Sequence, residues 1–166
     1  MKIAITGPES TGKSTLSQSL SKMLNIPIIE EYARAYFEQN QISKYDLMDF
    51  LHIANYQNKI FQKHQQYSFI ADTEFIVLAI WAKEKYNYIP QSIFKSIAIY
   101  NFDYYFLCAP TIPWESDALR ENPHDRFRLF DLYEEMLQSC GIKYHVIDAF
   151  EHAERVKHVE SIIRHP

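Results

Sequence analysis

The chain has 166 residues, of which 47% are apolar and 15% aromatic, and its formal net charge is −4. This length suits one domain with its own core, so we expect a single domain over residues 1–166. The negative charge and the lack of a long basic run argue against a nucleic-acid-binding protein, and the longest apolar run, residues 75–82, is far too short to span a membrane.

The first predicted element is a strand at Lys2–Thr6, a short β-branched run. It leads into residues 7–15, which fit G-x-x-x-x-G-K-[ST], and apolar residues at helical spacing follow from Leu16. Two of the chain's only three glycines occupy the glycine positions of the motif, where backbone amides turn toward an anion. Strand, loop and helix thus come in the order that a phosphate-binding loop requires, which a chance match in a surface turn does not explain.

This loop predicts the donor half of a nucleotide site. Its amides cradle the phosphates, Lys13 reaches the β- and γ-phosphates, and the Ser14 hydroxyl is a ligand for Mg²⁺. We therefore predict ATP and Mg²⁺ as cofactors, although these residues alone do not distinguish ATP from GTP. The residues expected to hold the nucleotide are Gly7, Glu9, Ser10, Thr11, Gly12, Lys13, Ser14 and Thr15.

Strand-like and helix-like segments alternate along the rest of the chain. We predict strands over 26–30, 68–72, 103–109 and 144–147, and helices over 33–66 with a break near 41–43, 75–86, a short stretch opened by Pro90, 127–139 and 150–164. Residues 110–128 are polar, rich in proline and free of glycine, and they predict a lid that leaves the sheet after strand four; we call them the lid segment. This alternation predicts a three-layer α/β domain with a five-stranded parallel sheet.

Ligands in such sheets bind beyond the carboxyl ends of the strands, so the residues that follow each strand predict the site. Phosphoryl transfer needs an acid near the acceptor hydroxyl, an acid for the metal ion, and cations that neutralise the moving phosphoryl group. We expect catalysis from Lys13, Glu31, Asp72, Arg120 and Arg126, with Ser14 and Asp72 at the metal. The residues predicted to contact the acceptor are Glu31, Tyr32, Arg34, Asp72, Thr73, Trp114 and Asp117.

Each of these residues also has a structural interpretation. Asp72 could cap the helix that follows it, and Glu31 with Arg34 could form a solvated pair in a first helical turn. The arginines of the lid segment could be surface charges, and the aromatic residues could serve packing alone.

Other motifs separate enzyme classes and compartments. Regulatory GTPases need D-x-x-G after a strand and N-K-x-D. The one Asn-Lys pair here, at Asn58, continues as Ile-Phe, so a Ras-like switch is disfavoured.

Cys108 and Cys140 are too few and isolated for a disulfide framework or a zinc site. The early first strand leaves no room for a signal peptide, and we expect a cytoplasmic protein of undetermined oligomeric state.

Four blocks, GPESTGKST, EEYAR, FIADTE and CAPTIPWESDALREN, together resemble the ribosylnicotinamide kinase domain of NadR-type proteins, within the small P-loop ATPases and kinases. The resemblance implies a P-loop kinase-like fold and a phosphotransferase with an alcohol acceptor. It further implies that ATP phosphorylates the 5′-hydroxyl of nicotinamide riboside, giving nicotinamide mononucleotide for NAD supply. A kinase for another nucleoside or vitamin precursor, or a regulatory nucleotide-binding module with slow ATP or GTP hydrolysis, stays open as an alternative.

Overall fold

The computed structural model describes residues 1–42, 44–117, 120 and 123–165. Strands and helices alternate in these residues, as predicted from the sequence. The strands are β1 (Lys2–Thr6), β2 (Ile28–Ile29), β3 (Phe69–Asp72), β4 (Tyr104–Cys108) and β5 (His145–Ile147). The helices are α1 (Lys13–Leu24), α2 (Tyr32–Asn40), α3 (Leu47–His64), α4 (Phe75–Tyr86), α5 (Gln91–Ile99), α6 (Arg126–Ser139) and α7 (His152–Arg164).

The five strands form one parallel sheet in the order β2-β3-β1-β4-β5. Strand β1 lies at the centre, where Ile3 is in register with Ile70 of β3 and with Tyr104 of β4. Because all strands are parallel, the loops that leave β1, β3 and β4 emerge side by side at one edge of the sheet. The phosphate-binding loop therefore lies between the residues that follow β3 and those that follow β4.

Side chains of β1 alternate between two cores. Ile3 and Ile5 pack with Leu16 of α1 and Val159 of α7 on one face of the sheet. Ala4 faces the larger core on the other side, which helices α2 to α6 cover. Strands buried on both faces explain the continuous apolar runs in the sequence, and they confirm the predicted three-layer α/β fold.

The element boundaries differ slightly from the prediction. Strand β2 is limited to two residues because it lies at the sheet edge and pairs with β3 alone. Helix α3 begins after Asp46, whose carboxylate accepts the amides of Met48 and Asp49. Gly141 follows α6 with φ +66°, the left-handed conformation that commonly ends a helix. No helix in the described part of the chain is long and apolar enough to cross a membrane.

Candidate active site

The phosphate-binding loop depends on its glycines for steric reasons. Gly7 has φ +129°, and a Cβ placed on it would lie 2.6 Å from the carbonyl oxygen of Cys108 in β4. Gly12 has φ +78°, and its Cβ would lie 3.3 Å from Cδ1 of Ile112. Ser10 also adopts a left-handed conformation, with φ +52°. The loop is thus pressed against the chain that leaves β4, which leaves no room for side chains at the first glycine.

Lys13, at the start of α1, folds back across this loop. Its Nζ donates hydrogen bonds to the carbonyl oxygens of Gly7, at 2.9 Å, and of Pro8, at 2.7 Å. The Thr11 hydroxyl donates to the Pro8 oxygen as well, at 2.8 Å. The ammonium group is therefore held at the mouth of the loop, where the phosphates of a nucleotide would lie.

Asp72 ends β3 next to the loop. The residue is 7% exposed, and its Oδ1 is buried without a hydrogen-bond partner among the described residues. Burial raises the pKa of this carboxyl, while the neighbouring Ser14 hydroxyl and the charge of Lys13 lower it. A hydroxyl and an unpartnered carboxylate oxygen are the hard ligands that Mg²⁺ prefers, so Ser14 and Asp72 fit the predicted metal ion.

The two residues after Asp72 form the turn that leads into α4. Thr73 has φ +113°, which is a strained conformation for a β-branched residue and marks a turn fixed by its surroundings. Glu74 is 1% exposed, and its carboxylate accepts the amide of Ile76 at the start of α4, at 2.6 Å. Burial raises the pKa of Glu74 to about 7. The helix cap expected as an alternative for Asp72 is therefore supplied by Glu74.

A cavity of about 700 Å³ extends from the phosphate-binding loop toward α2, α4 and α6. One end is lined by residues 7–15, and the other is largely apolar and aromatic. Within this apolar end the Trp81 indole N–H donates to the Tyr45 hydroxyl at 2.7 Å. The residues that form the apolar end include Ala33, Phe37, Ile42, Tyr45, Val77, Ile80, Trp81, Leu129 and Tyr133. The cavity is thus divided into a polar end and an end suited to a planar apolar group.

Glu31 lies between these two ends of the cavity. Desolvation by the surrounding protein raises the pKa of its carboxyl; the charge of Lys13 opposes this effect and the charge of Asp72 adds to it. Arg34, one turn further along α2, donates from Nη1 to both carboxylate oxygens of Asp117, at 3.0 and 3.3 Å. Arg34 is therefore paired with the lid segment, not with Glu31 as in the solvated-pair interpretation.

The lid segment contacts the phosphate-binding loop at Ser10. Arg126 donates from Nη1 to the Ser10 carbonyl oxygen at 3.0 Å, and its guanidinium lies 5.7 Å from the centre of the Trp114 ring. Arg120 lies 3.4 Å from the Ser10 hydroxyl, which accepts the amide of Glu115 at 2.9 Å. Both predicted lid arginines thus adjoin the loop. Residues 118, 119, 121 and 122 of the lid segment lie outside the described residues.

Tyr32 packs against α3. Its ring stacks on Tyr56, with centroids 3.6 Å apart and planes at 18°, which agrees with the packing alternative for the aromatic residues. Trp114, Asp117 and Arg126 make contacts that hold the lid segment to α2 and to the loop. None of these four residues is among the described residues that line the cavity, and their contacts with a ligand stay predictions.

Sequence patterns did not predict Arg155, which is 2% exposed. Its guanidinium donates to Thr11 O at 2.6 Å, Ala149 O at 2.6 Å, Thr111 Oγ1 at 2.8 Å and Ala109 O at 3.3 Å. One signal was present, because Arg155 precedes Val159 by four residues on the buried stripe of α7. An arginine in such a stripe indicates a buried polar contact.

The apolar end of the cavity also carried a signal. Val77, Ile80, Trp81 and Glu84 recur at three- and four-residue spacing on α4 and line the cavity together. The spacing could have grouped them on one face. These four residues line the cavity together with Phe37 of α2. That arrangement depends on the order of the strands in the sheet and could not be predicted from α4 alone.

Comparison with known sequences identifies relatives along nearly the whole chain. The sequence model of the AAA domain family matches residues 2–155. The trifunctional NAD biosynthesis/regulator protein NadR of Escherichia coli is 28% identical over 172 aligned positions, covering 98% of this chain and 42% of the relative. NadR of Salmonella typhimurium is 31% identical, and the alignment covers 89% of this chain and 38% of the relative. The chain therefore spans about two fifths of the length of the curated relatives it matches, and the resemblance to NadR-type proteins is confirmed.

Solved structures share the fold. NadR in complex with NAD and AMP-PNP superposes with a TM-score of 0.76 at 22% identity, covering 96% of this chain and 48% of the other. NadR in complex with NR superposes with a TM-score of 0.75 at 23% identity, covering 98% of this chain and 50% of the other. A deoxyadenosine kinase from M. mycoides gives 0.73 at 21% identity over 99% of both chains. These likenesses confirm the predicted P-loop kinase-like fold.

Proposed function

This chain belongs to the AAA domain family, and from that premise we propose that it is an ATP-dependent kinase for nicotinamide riboside, producing nicotinamide mononucleotide. One observation carries the proposal. The apolar end of the cavity opens onto the phosphate-binding loop, and Glu31 and Asp72 lie where the two ends meet. The NadR relatives support this acceptor, since one NadR structure is described as a complex with NR, the usual abbreviation of nicotinamide riboside.

The donor end holds the triphosphate. The amides of residues 7–15 bind its oxygens, and Lys13 exchanges its contacts with the Gly7 and Pro8 carbonyls for the β- and γ-phosphates. Ser14 and Asp72 would hold Mg²⁺, which when bound neutralises charge on the phosphate oxygens. The nucleotide binds with its γ-phosphate toward the carboxyl groups of the cavity.

The acceptor hydroxyl is activated by a carboxylate. Its oxygen attacks the γ-phosphorus, the bond from that phosphorus to the β-phosphate oxygen breaks, and ADP leaves. The hydroxyl proton passes to Glu31 or Asp72, which remain as the two candidates for the base. The pKa of each carboxyl is raised above its ordinary value, so either is a stronger base than a carboxylate whose pKa is unshifted.

The lid segment supplies the remaining charge. Arg120 and Arg126 meet at Ser10, on the loop that holds the transferred phosphate. Guanidinium groups in this place stabilise charge on the equatorial phosphoryl oxygens and shield the site from water. The pairing of Arg34 with Asp117 joins α2 to the lid segment, so that acceptor binding and closure are coupled.

The acceptor's own charge agrees with the pocket. Nicotinamide riboside carries a pyridinium cation, which gains from the Glu31 carboxylate and from contact with the aromatic residues of the apolar end. A neutral nucleoside gains the stacking alone.

A panel of acceptors tests this function. We expect ADP release to accelerate with nicotinamide riboside, and mass spectrometry to detect the mononucleotide. Nicotinic acid riboside has a carboxylate in place of the carboxamide on the same ring, and adenosine is a neutral nucleoside. These two are the matched comparisons, and both should react more slowly. If another nucleoside reacts faster than nicotinamide riboside, that nucleoside becomes the proposed acceptor. If no acceptor accelerates ADP release, the regulatory nucleotide-binding module is favoured.

A further inference from the structure

Arg155 joins three loops at the carboxyl edge of the sheet. Its guanidinium donates to Thr11 in the phosphate-binding loop, to Ala109 and Thr111 after β4, and to Ala149 after β5. The side chain is 2% exposed and comes from α7, on the face of the sheet opposite the cavity. These contacts reach the loop from behind, so Arg155 could not touch the acceptor.

The bond to Thr11 determines the direction of the next amide. In a trans peptide the carbonyl of one residue and the N–H of the next point in opposite directions. Arg155 holds the Thr11 carbonyl at 2.6 Å, so the Gly12 N–H points away from the guanidinium. We propose that Arg155 is a positioning residue for the donor site, orienting the Gly12 amide toward the phosphates; this rests on the ATP-binding half of the proposed function and not on its acceptor.

The charge of Arg155 strengthens this effect. Within the described residues its guanidinium bonds to three carbonyl oxygens and one hydroxyl, and to no carboxylate. A buried cation bound to a carbonyl polarises that peptide and makes its N–H a stronger donor. The cation also adds positive potential beneath the loop. Both effects favour an anionic ligand over a neutral one.

The three glycines of the chain permit a direct measurement. With ¹⁵N-glycine labelling, the full chain gives amide signals from Gly7, Gly12 and Gly141 alone. Gly141 follows α6 in open space and reports on folding without contacting the loop. The test variant is R155K, which keeps the charge but loses the planar set of donors. The control is R164A on the same helix, whose side chain is 71% exposed and pairs with Glu160.

Each protein is titrated with inorganic tripolyphosphate and, separately, with ATP, in the absence of any acceptor. In R155K we expect the Gly12 signal to move, the Gly141 signal to stay, and the affinity for both ligands to fall about tenfold, the effect of one charge-assisted hydrogen bond. R164A should match the wild type within about twofold. An unchanged Gly12 signal with unchanged affinity in folded R155K would overturn the proposal.

The Gly141 amide signal would show whether R155K fails to fold, and a second variant is used in that case. T111V removes one acceptor of the guanidinium while leaving Arg155 in place. It should shift Gly12 and weaken tripolyphosphate binding about two- to threefold. No change in either would count against the positioning role. Failure of the acceptor panel with tripolyphosphate binding intact would instead refute only the proposed acceptor.

Discussion

Arg126, the first residue of α6, donates a hydrogen bond of 3.0 Å to the carbonyl oxygen of Ser10 in the phosphate-binding loop. The same nitrogen donates to the carbonyl oxygen of Ile112, also at 3.0 Å. The segment that follows β4 is thereby tied to the loop that follows β1. A change in one should therefore affect the other.

Replacing Arg120 by Ala should lower kcat more than it raises KM for ATP. Its guanidinium adjoins Ser10 and would contact charge that develops during phosphoryl transfer, so we expect kcat to fall about 10²-fold. Steady-state kinetics at saturating ATP measure this. The control is Arg164→Ala, since Arg164 lies on α7, is 71% exposed and pairs with Glu160. An unchanged kcat for the Arg120 variant would remove it from the lid role.

Lys13→Ala should abolish turnover while leaving the fold intact. Among the described residues, the ammonium group donates hydrogen bonds to two loop carbonyls, so we expect its loss to leave the fold intact but to remove the charge that neutralises the phosphates. We expect activity to fall by at least about 10²-fold, with an unchanged circular dichroism spectrum. Lys22→Ala, at the exposed end of α1, is the matched control. Full activity in the Lys13 variant would contradict the site.

Asp72→Asn should weaken the dependence of activity on Mg²⁺. The substitution keeps the shape of the side chain but removes the charge at the buried, unpartnered oxygen. We expect the Mg²⁺ concentration for half-maximal activity to rise about 10- to 100-fold. Asp103→Asn is the comparison, because its carboxylate lies at the amino end of the sheet on the amide of Lys2. Equal Mg²⁺ curves for wild type and D72N would exclude Asp72 from the metal site.

Glu74 should make the protein less stable as the pH rises from about 4.5 to about 7. Burial raises the pKa of this carboxyl to about 7 in the folded state, from 4.5 without the fold. Between these values the unfolded chain loses a proton that the folded chain keeps, so the free energy of unfolding falls with rising pH, by on the order of 3 kcal/mol in total. Below about pH 4.5 both states keep the proton, so the contribution of Glu74 to the free energy of unfolding no longer changes with pH.

Glu74→Gln isolates this titration, because the amide oxygen can still accept the Ile76 amide. The free energy of unfolding of wild type and E74Q is measured with urea at several pH values from 4 to 8. Titration of the other groups affects both proteins equally and cancels in the difference between them. The stability of E74Q relative to wild type should increase across this interval. A constant difference would show that Glu74 does not titrate there.

Gly7→Ala should destabilise the fold more than Gly141→Ala. Both glycines have positive φ, so each variant incurs about 1–2 kcal/mol of backbone strain. At Gly7 the methyl group would also lie 2.6 Å from the Cys108 carbonyl oxygen, whereas Gly141 has open space. We expect an additional loss of about 1–3 kcal/mol at Gly7, measured by urea unfolding. Equal losses would contradict the close approach to β4.

The sequence predicted the elements whose pattern is local. Helix α4 has the predicted bounds, Phe75–Tyr86, because an acid precedes it and Asn87 ends it in a left-handed conformation. The phosphate-binding loop was identified for the same reason, since its motif is contiguous. Strand β2 was predicted too long, because its length is set by pairing with β3 alone.

The sequence could not predict contacts that join distant segments. Tyr32 follows β2 and is predicted to contact the acceptor, but its stacking on Tyr56 of α3 could not be predicted from that position. Arg155 bonds to Thr11 across 144 positions of the chain, and no local pattern specifies that partner. The roles predicted for Glu31, Asp72 and the lid arginines remain predictions, to which the structure adds proximity.

The position of Arg155 also bears on how the phosphate-binding loop forms during folding. The guanidinium that holds the Thr11 carbonyl lies 144 positions away from it along the chain. The same helix, α7, packs Val159 against Ile3 and Ile5 of β1. Docking of one helix therefore both closes this core and completes the contacts behind the loop, so we expect the loop geometry to form together with this tertiary packing and not from the local motif alone.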